Sequence, residues 1–282
     1  MPELPEVETI RRDLDRELGG KRIERVTAGG VRSIRRHRDA AEFAAALVGR
    51  TVKSVGRRGK YLRIPLGGSH REDEPDPEAT LVIHLGMSGQ LLLAAAGDAT
   101  ARHTHVVLGF DGGRELRFVD PRTFGEVFVT DDQTRDLARL GADPLEDLRN
   151  WTELAELLHG RTTKLKPWLM DQRFLAGIGN LYSDEILFAA RLRYDRPAET
   201  LSPAEVRRLF RSMTEILQAA IASRGSSLAD EQYRDVFGAI GQYQRQHRVY
   251  GREGEACPRC RRAIVRVKTG GRSTFLCVRC QR

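Results

Sequence analysis

The chain has 282 residues and a mass of 31.7 kDa, a length typical of about two domains. Its 40% hydrophobic and 30% charged residues exclude an intrinsically disordered protein. The net charge of +8 and the pI of about 9.6 favour a polyanionic partner. Thr80–Gly97 is a long segment without a formally charged side chain, but it contains His84 and Gln90, and the opening residues MPELPEVETI carry charges. We therefore expect neither a membrane span nor a secretory signal, no membrane partner, and a cytoplasmic location.

The first 130 residues show the pattern of a β-sandwich. Short alternating segments are separated by Gly, Asp and Ser, and an amphipathic helix at Glu6–Leu18 precedes them. Residues 67–79 (GGSHREDEPDPEA) are acidic and contain proline, which predicts an exposed loop. The predicted strands are Arg22–Ala28, Thr51–Val55, Lys60–Pro65, Leu81–Leu85, Gln90–Ala94, His105–Phe110, Glu115–Val119 and Glu126–Val129.

Between Asp143 and Arg224 the hydrophobic period becomes helical. The small-residue turn Ala176–Gly179 separates two of these helices, and Asn180 is predicted to cap the second. Exposed N–H groups at such a helix start bind phosphate, although spacing alone favours an ordinary helical hairpin. The predicted helices are Asn150–Leu158, Pro167–Phe174, Asn180–Ala190 and Ser202–Ser223.

Four cysteines near the end of the sequence have the spacing of a zinc site. They read C-x2-C, sixteen residues, C-x2-C, and are Cys257, Cys260, Cys277 and Cys280. Two disulfides in an exported protein are the alternative, which requires an oxidising compartment. Alternating segments between the pairs predict a hairpin with its turn at Thr269–Gly271. Four thiolates close the coordination shell, so we expect one structural zinc ion per chain.

The positive charge is concentrated in the same region. Residues 245–282 contain eleven Lys or Arg and two acids, which gives +9, whereas the other 244 residues carry −1. This predicts that the finger contributes arginines to binding, such as Arg272 at the hairpin turn.

The N-terminus offers a nucleophile. Proline in the second position normally permits removal of the initiator methionine, which would leave a secondary amine at Pro2 beside Glu3 and Glu6. An amine next to a carboxylic acid is suited to attack on a sugar C1′ with formation of an iminium. Taken alone the feature is weak, because most chains that begin Met-Pro have an ordinary terminus.

Together these motifs resemble the formamidopyrimidine-DNA glycosylases, bacterial enzymes that excise oxidised purines. The resemblance runs nearly end to end and in the same order. The matching segments are MPELPEVET at 1–9, RRGKYL at 57–62, HLGMSG at 84–89, HTHV at 103–106, DPRTFG at 120–125, KPWLMDQRFLAGIGNLYSDEIL at 166–187, VYGREGEACPRC at 249–260 and GGRSTFLCVRCQ at 270–281.

The resemblance implies an α+β multidomain fold and damaged double-stranded DNA as the partner. The expected parts are an N-terminal β-sandwich catalytic domain at 1–135, a helical domain with a helix–two-turns–helix motif at 136–244, and a C-terminal zinc-finger β-hairpin at 245–282. We expect a monomer in the bacterial cytoplasm or nucleoid. The expected activity is removal of 8-oxoguanine and formamidopyrimidines, followed by β,δ-elimination at the abasic site.

The resemblance also implies roles for individual residues. Pro2 would displace the damaged base and form a Schiff base, Glu3 would act as general acid, and Glu6 would support both. Lys60 would act in β-elimination and hold a phosphate, and Arg272 would act in δ-elimination. The residues that match DNA contacts are His84, His103, Arg122, Arg161 and Asn180. Those that match the trio filling the void of the flipped base are Met87, Arg122 and Phe124.

Base extrusion explains why these residue types are needed. A base inside a duplex cannot be reached, so it is flipped out and its stacking is replaced. Met and Phe are apolar wedges, and Arg can reach the edge of the orphaned base. Taken singly, Met87 and Phe124 would be read as core residues and Arg122 as part of a surface ion pair.

Two other functions remain open at this point. An endonuclease VIII-like glycosylase for oxidised pyrimidines shares the Pro-Glu start and the zinc finger. A non-catalytic DNA-binding module would keep the finger and the helical motif, but the presence of Pro2, Glu3 and Lys60 together argues against it.

Overall fold

The structure, a computed structural model, describes residues 1–68, 79–228 and 232–282. Most of the acidic loop predicted at 67–79 therefore lies outside the described residues. The chain forms two compact units. The first unit comprises Met1–Ala138 with Arg224–Gly241, and the second comprises Arg139–Ser223 with Gln242–Arg282.

Two antiparallel sheets build the first unit, as the alternating segments predict. One sheet has the strand order β1-β7-β8-β6, and the other has the order β2-β4-β5-β9, with β3 paired to β4. The strands are β1 Ile23–Ala28, β2 Thr51–Val52, β3 Gly56–Arg58, β4 Tyr61–Gly67, β5 Ala79–His84, β6 Gln90–Ala95, β7 Thr104–Phe110, β8 Arg114–Val119 and β9 Glu126–Thr130. The helices of this unit are α1 Leu4–Leu18, α2 Ala40–Ala45 and α3 Gln133–Leu137.

Helix α1 belongs to the core of the first unit. Its apolar residues Val7, Ile10, Leu14 and Leu18 recur at helical spacing and are at most 1% exposed. They join one hydrophobic cluster with side chains of both sheets. Because these four apolar side chains are buried, helix α1 at the start of the chain is held against the sheets.

The second unit contains four longer helices and a hairpin. These are α4 Trp151–Leu158, α5 Leu165–Met170, α6 Asn180–Ala190, α7 Pro203–Ala222, β10 Val265–Thr269 and β11 Arg272–Leu276. Ser202 and Glu205 form the capping box of α7 that the sequence indicates. In the described part of the chain, no helix combines the length and the apolar character that a membrane crossing requires.

The end of α5 and the N-cap of α6 differ from the sequence prediction. Helix α5 ends at Met170 and not at Phe174, because the Asp171 carboxylate accepts the backbone N–H of Arg173 and starts a turn. Gly179, not Asn180, is the N-cap of α6, so Asn180 is the first helical residue. Glycine is tolerated at an N-cap, and the shift leaves the Asn180 side chain at the helix start.

Candidate active site and metal centre

A capping box at the start of α1 fixes the proposed catalytic pair. Pro2 and Glu3 are buried, and Glu3 is the N-cap residue. The Glu3 side chain accepts the N–H of Glu6, while the Glu3 N–H donates to Glu6 Oε2 at 2.9 Å. Glu6 Oε1 accepts the N–H of Ser226 at 2.8 Å. Glu6 therefore positions Glu3 and joins the N-terminus to the segment 224–228.

Lys60 lies in the turn before β4, close to His84 on the neighbouring strand β5. Lys60 is 8% exposed and precedes β4, in which Tyr61 pairs with His84 of β5. The Tyr61 and His84 rings stack with centroids 4.5 Å apart. Burial, and then the charge of Lys60, lower the pKa of His84 from 6.5 to about 4. His84 is therefore uncharged at neutral pH, and a phosphate would receive from it only a neutral hydrogen bond.

We expect His84 to titrate near pH 4 when its ring resonances are followed by NMR. Lys60→Met should raise this pKa part of the way towards 6.5, since burial remains the larger cause. Lys60→Arg keeps the charge and serves as the control, with little change expected. A His84 pKa near 6.5 in the unsubstituted protein would contradict the burial of this ring beside Lys60.

Met87, Arg122 and Phe124 are brought together by two neighbouring loops. Met87 is 39% exposed and Phe124 45% exposed, which excludes the interpretation of these residues as core. The Arg122 guanidinium lies over the Phe124 ring, 5.0 Å from its centroid, and no carboxylate of the described residues pairs with it. Gly86 has φ of +62°, and a Cβ there would lie 2.6 Å from the carbonyl carbon of Phe124. Only glycine permits this approach of the loops.

A buried carboxylate, Asp120, holds the same loops. Asp120 Oδ1 accepts the Ser88 hydroxyl at 2.6 Å, and Oδ2 accepts the Gly125 N–H at 2.8 Å. The Asp120 N–H donates to the carbonyl of His103, an exposed residue with φ of +65°. The hydrogen bonds of Asp120 thus link the chain segments that carry Met87, Phe124 and His103. Sequence analysis did not single out Asp120, although it opens the DPRTFG motif.

The remaining DNA-contact candidates lie in the second unit. Asn180 begins α6, and its Oδ1 is buried without a hydrogen-bond partner among the described residues. Arg161 is exposed, with its guanidinium 4.6 Å from the Phe174 ring centroid. Arg272 is exposed directly after Gly270 and Gly271, which both have positive φ at the hairpin turn. The site residues are thus divided between the two units.

Two adjacent acids of α6 anchor the finger, a role that sequence analysis missed. Asp184 and Lys166 form a buried ion pair at 2.8 Å, and the N–H of Phe275 in β11 donates to Asp184 at 2.9 Å. Glu185 accepts the backbone N–H groups of residues 248–250 at 2.8–3.0 Å. The available signal was two acids followed by Ile186 in a helix with no other charged residue. Buried carboxylates need such partners.

The four cysteines fit a tetrahedral metal. Their Sγ atoms all lie within 4.8 Å of one another, with Cys257 and Cys280 separated by 3.9 Å and Cys260 and Cys277 by 3.4 Å. Zn–S bonds of about 2.3 Å in a tetrahedron place sulfurs about 3.8 Å apart. All four are free cysteines, so the disulfide alternative is not supported. The cluster is the site of one structural zinc ion, and zinc as the cofactor is confirmed.

Family models match all three parts of the chain. The formamidopyrimidine-DNA glycosylase N-terminal domain matches residues 1–127, and the H2TH domain of the same enzymes matches residues 140–232. The zinc finger found in FPG and IleRS matches residues 254–282. The chain belongs to the formamidopyrimidine-DNA glycosylase family. The fold class inferred from the sequence is confirmed by this membership and by the solved structures of the family.

Curated relatives and solved structures agree with this membership. A formamidopyrimidine-DNA glycosylase of Pelotomaculum thermopropionicum is 41% identical over 286 residues, covering 100% of this chain and 99% of the relative. One of Herpetosiphon aurantiacus is 42% identical, with 100% of both chains covered. The MutM (Fpg) structure of Thermus thermophilus has a TM-score of 0.85 at 39% identity, covering 99% of this chain and 98% of that one. Lactococcus lactis Fpg in complex with abasic-site DNA has a TM-score of 0.86 at 33% identity, covering 99% of each.

Proposed function

We propose that this chain is a bifunctional DNA glycosylase and AP lyase that removes oxidised purines from duplex DNA. The observation that carries the proposal is the end-to-end family match of a chain whose Pro2-Glu3 pair is buried and capped at the start of α1. Relatives with the same fold were solved with Fapy-dG and with abasic-site DNA, the substrate and the intermediate of this reaction. The activity is base-excision repair of 8-oxoguanine and formamidopyrimidines.

In the proposed mechanism the nitrogen of Pro2, freed by removal of Met1, attacks C1′ of the damaged nucleotide. The C1′–N bond to the base breaks, and the departing base takes up the proton that the Pro2 nitrogen loses. The sugar becomes an iminium on Pro2 as its C1′–O4′ bond opens and O4′ accepts a proton from Glu3. The iminium acidifies the neighbouring sugar protons, so elimination of both phosphates follows from the same intermediate. Lys60 supports β-elimination and Arg272 supports δ-elimination.

We further propose that the two loops carrying Met87, Arg122 and Phe124 fill the space left by the flipped nucleotide. Exposed Met87 and Phe124 supply apolar surface to replace the lost stacking, and Arg122 reaches the edge of the orphaned base. The Asp120 hydrogen bonds keep these loops in place before DNA binds, which lowers the ordering cost of binding. His84, His103, Arg161 and Asn180 contact the phosphate backbone.

Binding of damaged duplex should depend strongly on salt. Each phosphate neutralised by Lys60, Arg161 or Arg272 releases counterions, so a log–log plot of affinity against salt should fall by about 0.9 per contact. Arg161→Gln should reduce that slope by about one unit. Arg211→Gln is the control, because exposed Arg211 faces Glu215 on α7. A slope that does not respond to Arg161→Gln would exclude the backbone contact.

A nicking assay separates this function from its alternative. Duplexes with 8-oxoguanine and duplexes with an oxidised pyrimidine are compared by kcat/KM. We expect the purine lesion to be preferred, and the comparisons do not favour the endonuclease VIII-like function. Preference for the pyrimidine would reverse the assignment. Absence of nicking on both duplexes, with binding retained, would indicate a non-catalytic module.

Domain boundaries, oligomeric state and cellular location are also part of the proposed function. We propose functional domains at 1–135, 136–244 and 245–282, a monomer on DNA, and a location in the bacterial cytoplasm or nucleoid. The separate family matches to the three regions support the division. Light scattering of the free protein and of its complex with one duplex tests the monomer.

A further inference from the structure

The second unit contains an arginine-rich cavity that none of the proposed catalytic or DNA-contact residues lines. Its volume is about 510 Å³, within the range of small-ligand sites. A single carboxylate, Glu205, lies on its wall. The arginines that line it are Arg191, Arg208, Arg259, Arg279 and Arg282.

Two of these arginines have a structural role that also holds them in place. Arg259 donates to the carbonyls of Phe188 and Ala189 at 2.5 and 3.0 Å, and Arg208 donates from Nε to the carbonyl of Ala190 at 2.5 Å. They satisfy the last carbonyls of α6. A guanidinium has five N–H donors, so Arg208 and Arg259 still have donors directed elsewhere.

The other three arginines have no such role. Among the described residues, no carboxylate pairs with Arg191, Arg279 or Arg282. Glu205 offsets little of this charge, because both its oxygens bind Arg196, which lowers the pKa of Glu205 to about 2, and Arg208 lies farther away at 4.0 Å. The cavity therefore concentrates like charges that an anion would relieve.

Each of the two Cys-x-x-Cys segments that bind zinc supplies one of the cavity arginines. Arg259 and Arg279 occupy the same position in the sequences Cys-Pro-Arg-Cys and Cys-Val-Arg-Cys. One metal cluster thus fixes both backbones beside the cavity.

The cavity is separate from the DNA contacts proposed above. Asn180 and Arg191 lie at opposite ends of α6, whose eleven residues span about 16 Å. Arg272 is the first residue of β11 and Arg279 follows its last residue, and the five residues of the strand span about 16 Å. The assignment below therefore does not rest on the proposed glycosylase function.

We propose that this cavity binds an oligophosphate, a ligand with at least two adjacent phosphate groups. Glu205 is already paired with Arg196, and a zinc ion held by four thiolates, among them the cavity-lining Cys280, carries a net charge of −2. The five guanidinium groups therefore leave an excess of about three charges, which two phosphates of about −1.5 each would balance. Planar guanidinium groups bind phosphate oxygens in pairs, which favours phosphate over a compact monovalent anion. The phosphates come from a free oligophosphate or from a nucleic-acid backbone.

Calorimetric titration of the zinc-loaded full chain with inorganic pyrophosphate tests this. We expect saturable binding, weakened about tenfold or more by Arg279→Ala and by Arg191→Ala, since each removes a charge-assisted contact. Both side chains are exposed, so folding is preserved. Arg211→Ala, which removes a charge elsewhere on α7, should leave binding unchanged. Zinc content is measured after each titration, because pyrophosphate binds metals.

Each outcome has a defined meaning. Competition by an undamaged duplex that is lost in Arg279→Ala would identify a nucleic-acid backbone as the source, and absence of competition would identify a free oligophosphate. Nicking of 8-oxoguanine duplex by Arg279→Ala at the normal rate would show that the cavity is separate from the glycosylase site. Absence of saturable binding, equal weakening by Arg211→Ala, or equal binding of a glutamate-rich peptide would overturn the assignment.

Discussion

Borohydride is expected to trap a covalent complex between this protein and an 8-oxoguanine duplex, with the adduct on residue 2 of a chain that lacks Met1. Reduction converts the iminium on the Pro2 nitrogen into a stable amine. Peptide mapping locates the adduct. An N-terminal extension that cannot be removed is the matched control, because it turns the Pro2 nitrogen into an amide and should abolish trapping. An adduct on Lys60 would assign the nucleophile to that side chain.

Glu3→Gln should separate the two chemical steps. Removing the general acid should lower base excision by about 100-fold or more, while cleavage of a preformed abasic site keeps much of its rate. Glutamine retains the oxygen that accepts the Glu6 N–H in the capping box, so the start of α1 should stay folded. Equal losses on both substrates would show that Glu3 does more than assist ring opening and release of the damaged base.

Removal of zinc is the second change with a large expected effect. The small core around the cysteines contains Val249, Ile264, Phe275 and Phe188, and two of the zinc ligands are buried within it. So small a core is stable only with the metal, and its loss should displace Arg272. Affinity for damaged duplex should fall roughly 100-fold or more, because several phosphate contacts are lost together.

Metal analysis should find one zinc per chain before chelation and none afterwards. Added zinc should restore binding to the chelated protein but not to Cys257→Ser, which lacks one thiolate. Normal binding and cutting by metal-free protein would contradict a structural role for zinc. Unchanged binding by Cys257→Ser would do so as well.

The parts of the site that the sequence predicts are those encoded by local spacing. The cysteine pairs, the Gly-Gly turn before Arg272 and the capping box of α7 each depend on residues a few positions apart. The structure places them as expected. The predicted end of α5 and the predicted N-cap of α6 were wrong, because Asp171 and Gly179 determine them through local side-chain and backbone conformations that hydrophobic periodicity does not register.

Contacts between distant segments could not be predicted in this way. Glu6 binds the N–H of Ser226, which lies 220 residues further along the chain, and Asp120 joins loops whose motifs are 32 residues apart. A buried carboxylate looks in sequence like any other acid. Its role becomes visible only when the fold shows which N–H groups it satisfies. The roles of Pro2, Lys60 and the DNA-contact residues remain predictions that the experiments above test.

The return of residues 224–241 to the first unit has a consequence for the order in which the protein can be made. Val236 is fully buried in the core of that unit, and its carbonyl accepts the N–H of Leu93. A nascent chain that has emerged only as far as Ala138 therefore lacks part of its own core. The core of the first unit cannot be completed until the ribosome has also released the whole of Arg139–Ser223 and the segment after it. Folding of the first unit can therefore finish only after most of the chain has been synthesised.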